Sequence, residues 1–280
     1  MGSSLFIHES LKPVDQFLQD TEELYHAGVI SINFTDAQVA RNQINSRVKM
    51  ETHGEIADLV SDLQEGTTLA LANYICFHGK LHEELLQELI AEANFQVHKK
   101  RAIIVPMVHR LGRFYVQWYP RLSSWVLVQH YVSDTIAFFI MPNLGKMQQL
   151  QQRLTRKHLD AIQRHTALRF VHLFFPKLSI SGAHDLKSLL GTLGITKVFS
   201  SAADLSGVTE EAPLKLSKAV HRVQVTLDEK TEDTEVDEEN ETLWLSIPTI
   251  SFNRSFLVII KDEFTNFPLL VGRVRDPTQH

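Results

Sequence analysis

The chain has 280 residues, of which 44% are hydrophobic, and a formal net charge of −5 at pH 7. This length can form one large domain or two small ones, and the charge gives no general reason to expect nucleic-acid binding. No apolar run reaches the length of about 18 residues that is typical of a membrane span. We therefore expect neither a nucleic acid nor a membrane as a partner.

The first 80 residues predict short strands as well as helices. Residues 4–9 and 29–34 are typical of strands. The nearly continuous apolar run of residues 67–77 indicates a central strand that is covered on both faces. This run contains the single cysteine, Cys76, which excludes an intrachain disulfide. Its apolar neighbourhood predicts a small buried side chain.

Two amphipathic helices are predicted in this region from apolar residues at helical spacing. The first covers residues 14–26, and the second begins at Asp36, whose side chain suits the N-cap position. The apolar stripes consist of Val14, Phe17, Leu18 and Leu24 in the first helix and of Val39, Ile44 and Val48 in the second.

The middle of the chain is rich in strand-forming residues. Three or four strand-like runs, rich in aliphatic and aromatic residues, lie between residues 102 and 142, and Gly112 separates the first two. Residues 146–165 predict one helix with a basic face, which either binds an anion such as a glycosaminoglycan or is simply solvated. Residues 169–180 predict another strand, and residues 185–193 predict a short helix.

The last quarter of the chain contains one change in composition. Residues 219–227 alternate strictly, which is typical of a half-buried strand. Seven of the eleven residues 231–241 are acidic and none is basic, so this segment predicts an exposed, mobile loop. Residues 256–261 and 269–274 predict two closing strands. The whole pattern indicates a mixed α+β domain.

A search for catalytic and metal-binding motifs is negative. The sequence contains no GxSxG, HExxH, P-loop or GxGxxG pattern. His78 and His82 are four residues apart, but Gly79 lies between them and no acidic or cysteine ligand has the spacing of a metal motif. We therefore expect no enzyme activity, no metal and no cofactor. His221, on the apolar face of its strand, is expected to be a core residue satisfied by a hydrogen bond.

A long segment carries a family resemblance. It runs from GVTEEAPLKLSKAVH at residues 207–221, through a strand ending in DEK, to FNRSFLVII and PLLVGRVRDPTQ. With this segment the chain resembles the serpins, most closely the antitrypsin-like group, from about Ser3 to the C-terminus. The resemblance implies an α+β fold with a large central sheet, further sheets, surrounding helices and an exposed reactive loop at residues 230–251. It also implies a single serpin domain, residues 1–280, that lacks the family's N-terminal helices.

The resemblance assigns structural roles to four residues. Asn73 and His221 match an asparagine and a histidine that lie where the central sheet opens, and their contact helps to keep the sheet closed. Lys177 and Glu229 match a pair at the top of the sheet, where the loop would enter. Taken by themselves, this second pair would be two exposed charges worth less than about 1 kcal/mol. The family's tryptophan near this gate is replaced by Leu81.

The reactive loop departs from the family pattern. In an inhibitory serpin a serine protease cleaves this loop, which then inserts as a strand in the central sheet. Counting back from Phe252 places the cleavable bond at Trp244–Leu245, which suits a protease of chymotrypsin-like specificity. The loop is one residue short, and a glycine is missing after Lys230. Its hinge is acidic where the family has alanines and glycine, and consists of Thr231, Glu232, Asp233, Thr234 and Glu235.

Three hypotheses of function remain open. The first is a secreted, extracellular serine-type endopeptidase inhibitor with a suicide-substrate mechanism, against which the acidic hinge argues. The second is a non-inhibitory serpin, such as a carrier of a small hydrophobic hormone, and the third is an inactive truncated product. N-glycosylation is expected at the sequons of Asn33 and Asn240, whereas Asn253 begins an apolar strand and is expected to be too buried.

Overall fold

The computed structural model describes residues 2–80, 87–98, 100–132, 134–211, 213–227 and 246–278, apart from the side chains of residues 87 and 88. These residues form five α-helices and two sheets whose strands pair mostly antiparallel, which confirms the predicted α+β class. The helices are α1 (Asp15–Tyr25), α2 (Ala37–Glu51), α3 (Met147–Arg153), α4 (Arg156–His165) and α5 (Leu186–Thr192). The strands are β1 (Gly2–His8), β2 (Gly28–Ile32), β3 (Leu69–Gly79), β4 (Gln87–His98), β5 (Arg101–Tyr119), β6 (Ser124–Tyr131), β7 (Thr135–Pro142), β8 (Leu168–Pro176), β9 (Leu178–Asp185), β10 (Lys218–Leu227), β11 (Thr249–Ser251), β12 (Phe256–Asp262) and β13 (Pro268–Val274).

The chain divides into two compact units. The first unit comprises Met1–Phe77 and Ile180–Val225, and the second comprises His78–Ser179 and Thr226–Gln279. Among the described residues, no helix combines the length and the apolar character that crossing a membrane requires.

A five-stranded sheet with the order β2-β1-β3-β10-β9 forms the first unit. Strand β1 pairs in parallel with β2 and antiparallel with β3. Strand β3 lies in the middle of this sheet, as the continuous apolar run of residues 67–77 predicts. The predicted cover on both faces is wrong for one face, because Leu71 and Asn73 are only half-buried there. One face is covered by α2, because Ile44 and Val48 of this helix share a buried cluster with Ala70, Ala72 and Val220.

Helix α2 begins as predicted, but its buried stripe differs by one position. The Asp36 carboxylate accepts hydrogen bonds from the backbone N–H groups of Gln38 and Val39 at 2.9 and 3.0 Å. The predicted burial of Val39 is wrong, because its side chain is 47% exposed, whereas Ala40 is fully buried with Ile44 and Val48. Residues four apart lie on one helix face, so Ala40 takes the place assigned to Val39.

Helix α1 also buries less of its apolar stripe than predicted. Leu24 is 70% exposed and Leu18 is exposed as well. Phe17 packs against a small cluster that contains Ile7 and Leu69. The prediction is wrong for the two leucines. Helical spacing identifies the apolar stripe, but only the part of the stripe that packs against neighbouring strands becomes buried.

An eight-stranded sheet forms the second unit. Its order is β11-β8-β5-β6-β7-β12-β13, and β4 pairs with β5 beside this path. The predicted break at Gly112 is wrong, because β5 is one continuous strand of 19 residues. Gly112 pairs with Val171 of β8 inside the ladder, so this glycine lies within the strand and does not end it. Strands β4 and β11 were not predicted.

The single helix predicted for residues 146–165 is wrong. Leu154 adopts an extended conformation after α3, and α4 begins with Thr155 as its N-cap. The Thr155 side chain and His158 form a reciprocal capping box, which favours a new helix start at this position. Leu150 of α3 and Ile162 of α4 both reach the buried cluster on the eight-stranded sheet.

The single strand predicted for residues 169–180 is also wrong. It consists of β8 and β9, which belong to different sheets. The break falls at Lys177, directly after Pro176, which has no backbone N–H to donate to a ladder. The Lys177 backbone N–H donates to the carbonyl oxygen of Pro106 at 3.0 Å.

Candidate functional site

The structure brings Asn73 and His221 together in the five-stranded sheet. Asn73 lies on the central strand β3, and His221 lies on the neighbouring strand β10. The Nδ1 atom of His221 lies 2.7 Å from the Oδ1 atom of Asn73. Because an amide oxygen accepts and does not donate, Nδ1 carries the proton in this bond. A half-buried polar pair therefore bridges two strands of the sheet by their side chains.

His184 is a third member of this cluster, and sequence reasoning missed it. Its ring on β9 stacks on that of His221, with 6.5 Å between the centroids and 15° between the planes. Burial lowers the pKa of His221 below its usual value, and the His184 ring lowers this pKa further. His184 lies on β9, two residues before α5 begins. It meets His221 only because β9 pairs with β10 in the sheet, and no local sequence pattern indicates that pairing.

The pH dependence of stability follows from this shift. A histidine with a lowered pKa binds fewer protons in the folded state than in the unfolded state, where its pKa is about 6.5. The free energy of unfolding therefore falls as the pH drops from about 6.5 through the lowered pKa of His221. We expect the His221→Gln variant, which can still donate to Asn73, to lose less stability between pH 7.5 and 5.5 in urea titrations.

The control for this comparison is His165→Gln, since His165 is exposed at the end of α4. His109 adds a dependence of the same sign, because burial and His172 lower its pKa. The titration of His221 is therefore measured by the difference between wild type and His221→Gln in the free energy of unfolding lost on acidification. If wild type and His221→Gln lose equal stability on acidification, His221 does not titrate as described.

The other predicted site residues are only partly described. Lys177 is exposed between β8 and β9. Its expected partner Glu229 lies outside the described residues, so the pair has no measured distance. The hinge of residues 231–235, the Trp244–Leu245 bond, Leu81 and Asn240 also lie outside the described part of the chain.

Comparison with known proteins decides the family. A family model described as "Serpin (serine protease inhibitor)" matches residues 1–277. The chain belongs to the serpin family. This finding confirms the resemblance that residues 207–221 and the C-terminal strands carry.

Curated relatives of this serpin are antitrypsin-like. The alpha-1-antitrypsin-related protein of Homo sapiens is 53% identical over 279 residues, which cover 99% of this chain and 66% of that protein. The alpha-1-antitrypsin of Meriones unguiculatus is 48% identical over 281 residues, which cover 99% and 69%. The chain thus spans about two thirds of the length of these relatives.

Solved serpin structures share the fold. A thyroxine-binding globulin complex with thyroxine has a TM-score of 0.87 and 32% identity, and the match covers 99% of this chain and 75% of that one. Uncleaved ovalbumin has a TM-score of 0.85 and 27% identity, with 99% and 73% covered. These similarities confirm the predicted serpin-like arrangement of sheets and helices.

Two sequons of this serpin lie in the described residues and differ in accessibility. Asn33 is exposed just after β2, and its side-chain amide donates to Glu9 at 2.8 Å. Asn253 is half-buried, and its carbonyl oxygen accepts from the backbone N–H of Gln96 at 2.7 Å. Ser255 of the same sequon is buried. The geometry therefore favours Asn33 over Asn253 as an acceptor.

The single cysteine of this serpin is suited to packing and not to chemistry. Cys76 is a free thiol on β3 and packs against the cluster beneath α2. Burial, with a smaller contribution from Glu55, raises the pKa of the Cys76 thiol to about 11. The thiolate is the reactive form of cysteine, so Cys76 is an unreactive thiol at neutral pH.

Proposed function

We propose that this serpin is a secreted protein that engages a serine protease of chymotrypsin-like specificity through residues 230–251. The observation that carries the proposal is the match of residues 1–277 to the serpin (serine protease inhibitor) family model. The Asn73–His221 bond agrees with the proposal, because it joins β3 to β10, the strand that leads into this loop. The identity of 53% to the alpha-1-antitrypsin-related protein supports it. Since the chain spans only about two thirds of that relative, the activity is carried over as a proposal.

The chemistry proposed for the loop follows from the family role. The serine hydroxyl of the protease attacks the carbonyl carbon of Trp244, and the Trp244–Leu245 bond breaks. The amine of Leu245 leaves with a proton, and Trp244 is held as an ester on the protease. Inhibition then requires that the freed loop insert between strands of the central sheet before water hydrolyses the ester.

The acidic hinge opposes this insertion. Successive side chains of a strand point to opposite faces, so every second hinge residue would enter the core of the fold. If Thr231 faces inward, Asp233, Glu235, Asp237 and Glu239 do so too. Burying an unpaired carboxylate costs several kcal/mol, and the segment of residues 231–241 holds no basic residue to offset this cost. We therefore propose that hydrolysis of the ester is faster than insertion of the loop and that this serpin behaves as a substrate.

We expect chymotrypsin at neutral pH to cut the protein near Trp244 without forming a detergent-stable covalent complex. Electrophoresis and mass spectrometry of the products measure both results. The melting temperature should change little after cleavage, because the loop stays outside the sheet. In the triple variant with Asp233, Glu235 and Asp237 replaced by alanine and a glycine restored after Lys230, part of the protein should form the complex and gain thermal stability.

Replacing Trp244 by alanine is the matched control, since it removes the aromatic residue of the cleavable bond and should slow the cut. A stable complex with the unmodified protein would contradict the substrate behaviour. Resistance of the loop to chymotrypsin and to related proteases would contradict the proposed engagement of a protease altogether.

A non-inhibitory carrier is the second candidate function. The observation that favours it is the TM-score of 0.87 to thyroxine-binding globulin in complex with thyroxine. Resistance to protease together with saturable binding of thyroxine would favour this candidate.

We also propose that Asn33 and Asn240 carry glycans in the secreted protein, since Asn33 is exposed and Asn240 belongs to the acidic loop.

A further inference from the structure

A basic pocket lies within the second unit, at the ends of four strands. Its volume is about 400 Å³, and it lies between the end of β4, the segment that follows β7, the residues before β12 and one residue of β13. Pockets of roughly 300–1,000 Å³ are typical of small-ligand sites. The dimensions therefore suit a small organic molecule.

The charge of this pocket contrasts with that of the chain. Its described lining includes His98, Lys100, Arg254 and Arg273, and it contains no Asp or Glu among the described residues. The chain as a whole has a formal net charge of −5. Three permanent positive charges therefore converge at one concave site of an acidic protein, which favours the binding of an anion.

Arg254 lacks an anionic partner among the described residues. Its Nε–H donates to the carbonyl oxygen of Pro142 at 2.8 Å, and Nη1 donates to Oδ1 of Asn253 at 3.4 Å. Both acceptors are neutral, and burial lowers the pKa of the guanidinium. A partly buried cation held only by neutral groups is costly unless an anion joins it. A bound anion would offset this cost.

The pocket is preformed by backbone contacts. The Gln96 backbone N–H donates to the carbonyl oxygen of Asn253 at 2.7 Å, and this contact holds the segment of Arg254 against β4. The Lys100 backbone N–H donates to Nδ1 of His98 at 3.3 Å. Nε2 of His98 therefore carries the proton of the neutral ring and can donate to a ligand.

The apolar side chains of Val97, Leu144 and Met147 line the pocket together with the polar residues Gln96, Asn143 and Ser255. Val97 and Met147 are buried, and Leu144 is exposed at the edge. A free inorganic anion would make no favourable contact with the apolar part of this lining. An anion with a short hydrocarbon body would contact them and reach the arginines with its headgroup.

From this arrangement we propose that the pocket binds small amphipathic organic anions, with a carboxylate, sulfate or phosphate headgroup at Arg254 and Arg273 and an apolar body against Val97, Leu144 and Met147. This site is independent of the proposed protease engagement, which concerns residues 230–251. An arginine guanidinium matches the planar or tetrahedral oxygens of all three headgroups.

Isothermal titration with octyl sulfate, octanoate and 1-octanol tests the proposal. Both anions should bind, and the neutral alcohol should bind at least tenfold more weakly. Arg254→Gln and Arg273→Gln should each weaken the binding of octyl sulfate about tenfold or more. Arg273 is exposed, so its replacement leaves folding intact. Arg113→Gln is the matched control, since Arg113 is exposed on β5 outside the lining and its replacement should have no effect.

Three outcomes would overturn the proposal. Equal affinities for octyl sulfate and 1-octanol would show apolar binding alone. Unchanged affinity of Arg273→Gln would show that the anion lies elsewhere. Binding of a heparin oligosaccharide, without any binding of octyl sulfate or octanoate at millimolar concentration, would show a surface for extended polyanions and not a pocket for small ones.

Discussion

Replacing Phe175 by alanine is expected to lower the free energy of unfolding by about 3–5 kcal/mol, the range for buried phenylalanines. Phe175 is nearly completely buried on β8. Its ring centroid lies 4.9 Å from that of Phe139, 5.3 Å from that of Phe252 and 5.5 Å from that of Phe256. The substitution therefore opens a cavity and removes three aromatic contacts at once. Urea denaturation followed by circular dichroism measures the change.

Phe264→Ala is the matched control. Phe264 lies between β12 and β13 and is 78% exposed, so its loss should change the free energy of unfolding by less than about 0.5 kcal/mol. Phe175→Leu keeps most of the volume and should cost less than Phe175→Ala. If the two substitutions at position 175 cost the same as Phe264→Ala, the aromatic cluster does not form the core of the second unit.

Replacing Asn73 by alanine should lower the free energy of unfolding by about 0.5–1.5 kcal/mol, the net contribution of a typical hydrogen bond, because the pair is half-buried. The substitution leaves the Nδ1–H group of His221 without the oxygen that lies 2.7 Å away. The lost hydrogen bond joins β10 to β3, the middle strand of the five-stranded sheet. Chemical denaturation at pH 7.5, where His221 is neutral, measures the effect without a contribution from its titration.

A double-mutant cycle separates the hydrogen bond from the loss of the side chains. Asn73→Ala and His221→Ala should together cost less than the sum of the two single substitutions. Asn94→Ala is the control for removal of an asparagine from a strand, because Asn94 is exposed on β4. Additive costs for the two single variants would mean that the Asn73–His221 contact contributes nothing to stability.

Agreement between sequence and structure is closest where a local pattern decides the outcome. The apolar run of residues 67–77 predicted the middle strand of a sheet, and Asp36 predicted the start of α2 through its N-cap. Asn73 and His221 could be paired only through the family resemblance. In the chain 147 residues lie between them, and no local pattern links them. His184 was missed for the same reason.

Where the patterns failed, either a partner distant in the chain or a local capping motif decided the outcome. Gly112 did not end β5, because Val171 of β8 holds it in the ladder. The helix predicted for residues 146–165 broke because Thr155 caps a second helix. Val39 and Leu24 were assigned to apolar stripes but remain exposed, because helical spacing cannot tell which part of an apolar stripe meets a sheet.

The sequence by itself determined the α+β class, the alternating strand at residues 219–227, the acidic composition of residues 231–241 and the family. These properties depend on residues that are close together along the chain or on a match along its whole length. Only the tertiary structure decided that residues 169–180 divide between two sheets, that His184 stacks on His221, and that Arg254 and Arg273 meet at one pocket. Each of these depends on distant segments that pack together, and burial and charge convergence arise from that packing.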